Sequence, residues 1–128
     1  MRAAIYLRLS KEDKQESIEN QRVLLRRYAN DHGFFIVKEY TDEAISGLTD
    51  MRPGFANMME DARKGHFDVI LAKNQSRFSR NFLHIEQYLH RELPHLNIRF
   101  IGVTDGVDTG KIDNIAVRRS GKKTRQIY

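Results

Sequence analysis

Apolar residues recur with two different periods along this chain, and the switches between them mark out alternating strands and helices. Arg2-Ala-Ala-Ile-Tyr-Leu-Arg-Leu-Ser10 is a short apolar run built on Ala4, Ile5, Leu7 and Leu9, and it reads as a buried strand. After a polar connection from Lys11 to Glu16, Ser17 is placed to cap a helix. Ile18, Leu24, Leu25, Tyr28 and Ala29 carry its helical spacing to about His32, and Gly33 takes the C′ position. Phe34 to Tyr40 is rich in β-formers and predicts a second strand. Thr41 to Arg52 shows no period and predicts a loop. Pro53 suits the first turn of a helix whose Phe55, Met58, Met59 and Ala62 fall at i, i+3, i+4 and i+7. The two methionines there are core filler.

Gly65 ends that helix. Asp68-Val-Ile-Leu-Ala-Lys73 follows as a continuous apolar run, the pattern of a strand buried on both faces. Asn74 to Asn81 is polar. Phe82, Ile85 and Leu89 then mark a helix expected to stop before Pro94, because proline lacks the N–H the helical ladder needs. Asn97 to Val103 predicts a fourth strand and Thr104 to Gly110 a turn. Strand and helix alternating over short links imply an α/β fold in three layers, with a central, largely parallel sheet of four to five strands flanked by helices. Residues 1–110 form one domain, and 111–128, which lack an apolar period, form a tail.

The first strand is unusual on one side. Side chains at i, i+2 and i+4 share a face, so Tyr6, Arg8 and Ser10 line up together. An arginine on a buried strand is costly unless a carboxylate or a ligand anion satisfies it. A structural ion pair for Arg8 and a capping role for Ser10 would account for these residues taken alone. The rest of the chain changes the balance. Ligands in open α/β sheets gather beyond the carboxyl ends of the strands. Three polar segments fall there: Arg8 to Ser10, Asp42 to Arg52, and Ser76 to Arg80. They bring Arg8, Arg52, Arg77 and Arg80 to the rim that holds Ser10. Four guanidiniums in one crevice repel one another unless the crevice exists to hold phosphate, which arginine's planar fork matches.

Other chemistries fit less well. No glycine-rich phosphate cradle follows the first strand. The third strand ends in Ala72-Lys73-Asn74, without the carboxylate of a phosphoacceptor domain. Glu12 and Asp13 read as a solvated turn and a weak metal signal. His32, His66, His84, His90 and His95 do not pair at ligand spacing, so no metal site is expected among them. With no cysteine there are no disulfides or thiolate sites. No apolar run approaches the ~18 residues of a membrane span, and no signal peptide is evident, so a cytoplasmic location is expected. The 22 basic and 17 acidic side chains give +5, but residues 1–110 hold 16 of each sign. The excess lies in residues 111–128, with six Lys or Arg against Asp113. The basic isoelectric point therefore says nothing about the body's affinity for nucleic acid.

Several short motifs, weak singly, fall in one order and spacing. They are Tyr6-x-Arg8-x-Ser10, Ser17-Ile-Glu-Asn-Gln21-Arg22, Asp42-x-x-x-Ser46-Gly47, Arg52-Pro53, Asp68, and Ser76-Arg77-x-x-Arg80-Asn81. Over residues 1–108 the chain resembles the serine recombinases of the resolvase/invertase superfamily. Within it, the chain is most similar to the catalytic domains of large serine integrases and transposon recombinases, whose longer loop after Asp42 and Asp105-Gly-Val-Asp-Thr109 it shares. The resemblance implies that Ser10 attacks a DNA phosphodiester, forms a 5′-phosphoserine link and releases a 3′-hydroxyl, with no cofactor. It implies that Arg8, Arg77 and Arg80, with Arg52 behind them, stabilise the charge on phosphorus. Tyr6, Gln21 and Ser46 would contact substrate or hold an arginine. Asp42 and Asp68 would orient arginines or handle a proton, and both roles stay open. Phe78 and Ile45 are packing residues. The implied partners are double-stranded recombination sites and, in a full-length enzyme, a second copy or three more.

Two departures stand out. Ser76 replaces the aspartate that often precedes the first arginine of the pair. The long dimer helix and DNA-binding domains that follow in the family are replaced by a short basic tail, read as a truncated or degenerate frame. A relic that pairs with a full-length recombinase, and a phosphate-ester hydrolase using the same serine, are the rival readings.

Overall fold

The computed structural model describes residues 1–10, 13, 15–43 and 52–110. Five strands form one sheet in the order β2-β1-β3-β4-β5, made of β1 (Arg2–Leu9), β2 (Phe35–Glu43), β3 (Val69–Ala72), β4 (Arg99–Gly102) and β5 (Val107–Asp108). The first four are parallel, and only β5 runs antiparallel, beside β4. The expected three-layer α/β architecture is present. Helix α1 (Ile18–Asp31) covers one face, where Leu25 and Ala29 pack on Ala3, Ile5, Leu7, Val69 and Leu71. Helix α2 (Pro53–Arg63) and the helical segment that begins at Phe82 cover the other. There Phe55, Met58, Met59, Ile85 and Leu89 pack on Ala4, Tyr6, Ile70 and Phe100. The four residues of β3 are all buried, as a continuous apolar run in the middle of a covered sheet must be.

Local signals behave as their chemistry dictates. Ser17 caps α1 by accepting from Asn20 N at 2.9 Å, and Gly33 adopts φ +74° after the helix ends.

The sequence-based elements need three corrections. The expected loop after Tyr40 begins as strand, because β2, after one register shift between Ala3 and Ala4, stays paired with β1 as far as Leu9 opposite Glu43 and sets Asp42 beside Arg8. The polar stretch after β3 contains a helical turn, α3 (Gln75–Phe78), capped by Asn74. The helix that starts as α4 (Phe82–His84) does not stop before Pro94. It continues as a π-helical segment (Ile85–Glu92) and closes in α5 (Leu93–His95), with Pro94 in its first turn. Leu93 N–H reaches back five residues to Tyr88 O. This wider hydrogen-bond register delivers the chain to a new first turn, where proline's missing N–H costs nothing. Among the described residues no helix is long and apolar enough to cross a membrane.

Candidate active site

The site forms where β1 outruns β3. The pairing of β1 with β3 ends at Tyr6 opposite Ala72, so beyond it the main chain of Arg8 needs other partners. Gln21, fully buried on α1, supplies them. Its Nε2 donates to Arg8 O at 2.8 Å and its Oε1 accepts from Arg8 N at 3.2 Å. Gln21 thus extends the sheet as a side-chain substitute for a strand, and it holds the backbone that carries Ser10.

The arginines assemble around this strand end. Arg8 Nε donates to Arg77 O at 2.9 Å, and its Nη2 donates to Ser76 O, so the guanidinium is tied to the α3 turn. Burial lowers the Arg8 pKa, and Arg80, Arg52 and Arg77 act in the same direction. Arg77 is buried, and its Nη1 reaches Arg8 O at 3.1 Å. Arg52 donates to Phe78 O at 2.5 Å and lies 4.0 Å over the Phe55 ring. The half-exposed Arg80 places its Nη2 3.5 Å from Ser10 Oγ. Asn74 shapes the α3 turn by accepting from Arg77 N at 3.2 Å and from Ser76 Oγ at 2.7 Å. Ser76 meets Arg8 only through its main-chain carbonyl, and its hydroxyl turns to Asn74.

Asp13 is the residue that sequence reasoning missed. Far from a solvated turn, its carboxylate folds back onto the site. Oδ2 accepts from Ser10 N at 2.7 Å, Ser10 Oγ at 2.8 Å and Arg77 Nη1 at 2.6 Å, while Oδ1 accepts from Arg77 Nη2 at 3.1 Å. The Arg77 hydrogen bonds hold this carboxyl well below the usual carboxylate range, with the Ser10 donors adding to the effect. The spacing Ser10-x-x-Asp13, closed by Asp13 N donating to Ser10 O at 3.1 Å, was the available signal.

The remaining expected residues divide. Asp42 is close to the site but works on the fold. Its Oδ2 accepts from Tyr6 OH at 2.6 Å and Phe55 N at 2.9 Å, and its Oδ1 accepts from Gly54 N at 2.8 Å. It is the N-terminal cap of α2, delivered from another strand, and no hydrogen bond to an arginine is among these contacts. Tyr6 is fully buried beneath it, with its phenol pushed far up by burial, so it meets Asp42 and not solvent. Asp68 lies at the opposite end of the sheet. It precedes β3 and pairs with Arg2 at 3.1 Å, while eight residues of strand at ~3.3 Å each separate Arg2 from Ser10 by about 26 Å. The expectation that Asp68 serves the site is corrected: a parallel register puts the start of β3 beside the start of β1. Ser46 and Ile45 lie outside the described residues. Phe78 is fully buried in the core. Among the described residues no three His, Asp or Glu side chains converge as metal ligands.

The Asp105-Gly-Val-Asp-Thr109 segment closes the sheet edge. Asp105 accepts from Gln75 N at 2.8 Å, Asp108 grips Arg99 with both oxygens, and Thr109 Oγ1 accepts from Phe100 N at 2.9 Å. A Cβ at position 102 would stand 2.4 Å from Asp105 Oδ1, so Gly102 permits the contact that steadies α3.

Comparison with known proteins identifies the family and the fold. The family described as "Resolvase, N terminal domain" matches residues 3–118. The N-terminal catalytic domain of TP901-1 integrase is 25% identical, with a TM-score of 0.72 over 95% of this chain and 100% of that one. A resolvase family site-specific recombinase from Streptococcus pneumoniae is 25% identical, with a TM-score of 0.74 over 94% and 92%. The C-terminal catalytic domain of ISC1926 TnpA, an IS607-like serine recombinase, is 26% identical, with a TM-score of 0.69 over 93% and 80%. The serine at the end of β1, with Arg80 beside its hydroxyl and Arg77 joined to it through Asp13, thus sits in a chain that belongs to the resolvase family, with the fold of a serine recombinase catalytic domain.

Proposed function

We propose that this domain cleaves and rejoins double-stranded DNA through Ser10. The Ser10 Oγ attacks a backbone phosphorus, the bond from phosphorus to the 3′ oxygen breaks, and the 5′ end stays linked to the protein as phosphoserine. The serine proton leaves as Oγ bonds to phosphorus, and the departing 3′ oxygen takes up a proton. Reversal with a partner strand's 3′-hydroxyl reseals the DNA, and because the phosphoester bond is kept in the link, no cofactor is needed. The observation that carries this reading is the position of Ser10 Oγ at the strand end, 3.5 Å from Arg80 Nη2 and one carboxylate away from the Arg77 fork. The charge gathering on the equatorial oxygens would fall to Arg8, Arg77 and Arg80, with Arg52 behind them. Gln21 acts by holding the Arg8 backbone. Two copies, acting on opposite strands of a recombination site, make up the working unit, and four exchange partners between two sites. Residues 1–110 are the catalytic body and 111–128 a basic tail that tracks phosphates.

The test is a denaturing gel of the protein with a duplex carrying a candidate recombination site. A covalent protein–DNA species joined at a 5′ end supports the reading. Free 5′-phosphate with no adduct points to the hydrolase instead. Cleavage should persist in excess EDTA, since positive charge at this strand end comes from arginines; loss on chelation with recovery in magnesium would count against them. Arg80→Ala is the sharpest of the arginine variants, because the half-exposed side chain can be cut without disturbing the core. Its cleavage rate should fall by about 10²–10³-fold, the usual loss for a preorganised transition-state donor, with melting temperature unchanged.

A further inference from the structure

The Asp13 carboxylate sits between the two groups that a substrate phosphate must meet. It takes the Ser10 hydroxyl on one oxygen and shares its two oxygens with the Arg77 fork. A phosphodiester presents the same valence to that fork: two unbridged oxygens carrying one negative charge. The side chain is only 13% exposed, so this is an enclosed ion pair and not a surface contact. Arg77 itself is not fully satisfied. Its Nε is buried and has no hydrogen-bond partner among the described residues, a state that protein interiors rarely leave uncorrected. The arrangement is thus a two-oxygen acceptor on an arginine that still has a donor to give.

We infer that Asp13 stands in for the DNA phosphate between Ser10 and Arg77, and that phosphate binds by taking its place on the Arg77 fork. The inference rests on the reading of Ser10 as the phosphate's nucleophile. Two like charges cannot share the fork, because carboxylate and phosphate a few ångströms apart repel strongly where burial limits screening. Asp13 is therefore a positioning residue with two effects. In the DNA-free protein it keeps Ser10 and Arg77 in register and compensates a buried guanidinium. Toward any phosphate it is a competitor that substrate binding must overcome. When Arg77 turns to phosphate, the contact that depresses the Asp13 pKa is lost. The carboxylate then regains basicity beside the Ser10 hydroxyl at the moment that proton must leave.

The experiment uses the whole chain and inorganic phosphate as the probe, titrated at constant ionic strength and followed by NMR. Asp13→Asn keeps the shape and removes the competing charge, so its phosphate Kd should be lower than wild type by on the order of tenfold or more. Asp13→Ser is measured in parallel and should tighten binding in the same direction, which covers the case of a poorly folded Asn variant. Glu16→Gln removes an equal charge from a nearby carboxylate paired with Lys73, and should change Kd by no more than about twofold. Adding Arg77→Ala to Asp13→Asn should abolish the gain. In the wild-type chain the Asp13 carboxylate and Arg77 guanidinium resonances should move along one binding curve. Unchanged or weaker binding in the Asp13 variants overturns the inference. So does an equal gain in Glu16→Gln, or an Arg77 response with Asp13 unmoved. None of these outcomes bears on whether Ser10 links to DNA, which the covalent adduct decides separately.

Discussion

Replacing Ser10 by alanine is expected to abolish the covalent protein–DNA species while leaving the domain folded. The side chain is partly exposed at the end of β1, and its hydroxyl makes one close contact, with Asp13 at 2.8 Å. Asp13 keeps its other three hydrogen bonds, to Ser10 N and to the Arg77 fork, when that hydroxyl is removed. The stability cost should therefore stay near 1 kcal/mol, the worth of one ordinary hydrogen bond. The chemical cost has no such limit, because among the described residues the serines nearest this strand end are committed elsewhere, Ser76 Oγ donating to Asn74 Oδ1 at 2.7 Å. Ser79 is buried and its Oγ accepts from Asn81 N at 3.0 Å, and Ser17 is committed to capping α1. In an assembly where wild-type protein yields adduct on a denaturing gel, Ser10→Ala should yield none, with melting temperatures within a few degrees. Adduct formed by the alanine protein would move the nucleophile elsewhere.

The second large effect falls on stability. Asp42→Ala should destabilise the domain by about 3 kcal/mol or more, since three donors lose their acceptor at once and the fully buried Tyr6 hydroxyl is left without one. At a few degrees per kcal/mol for a body of this size, the melting temperature should drop by roughly 10–20 °C. The neighbourhood is built for this contact. A Cβ at position 54 would lie 2.7 Å from Thr41 O and 3.0 Å from Asp42 Oδ1, so Gly54 lets the start of α2 approach β2 closely. Arg52, at the ordinary N-cap position, makes no side-chain cap of its own. Tyr6→Phe removes one donor and leaves the cap, so it should cost about 1 kcal/mol. Thermal unfolding followed by circular dichroism separates the two readings of Asp42. A variant that melts normally but cleaves poorly would return it to the chemistry.

The order of elements was legible along the chain because its signals are local. Helical spacing in 18–29 and 55–62, the Ser17 cap, Gly33 and the apolar run of β3 each report the conformation of their own few residues. The polar face of β1 was legible for the same reason, since the alternation of a strand fixes which side Tyr6, Arg8 and Ser10 share. Pro94 shows where a local rule gave way: a wider turn upstream changed the register that the proline had to satisfy. What each carboxylate does depended on contacts that periodicity does not encode. Asp68 could be placed at the far end of the sheet only once the parallel register of β1 and β3 was known. Asp42 became a helix cap because β2 runs on beside β1 as far as Glu43 and meets the start of α2 there. Asp13, three residues past Ser10 and read from the sequence as a turn residue, meets Ser10 and Arg77 because α3 brings the Arg77 fork across from another strand. Strand alternation and element order are enough to bring Ser10 and the arginines Arg8, Arg52, Arg77 and Arg80 to one end of the sheet. Which groups touch there depends on strand order and register, because hydrogen bonds and ion pairs act over about 3 Å.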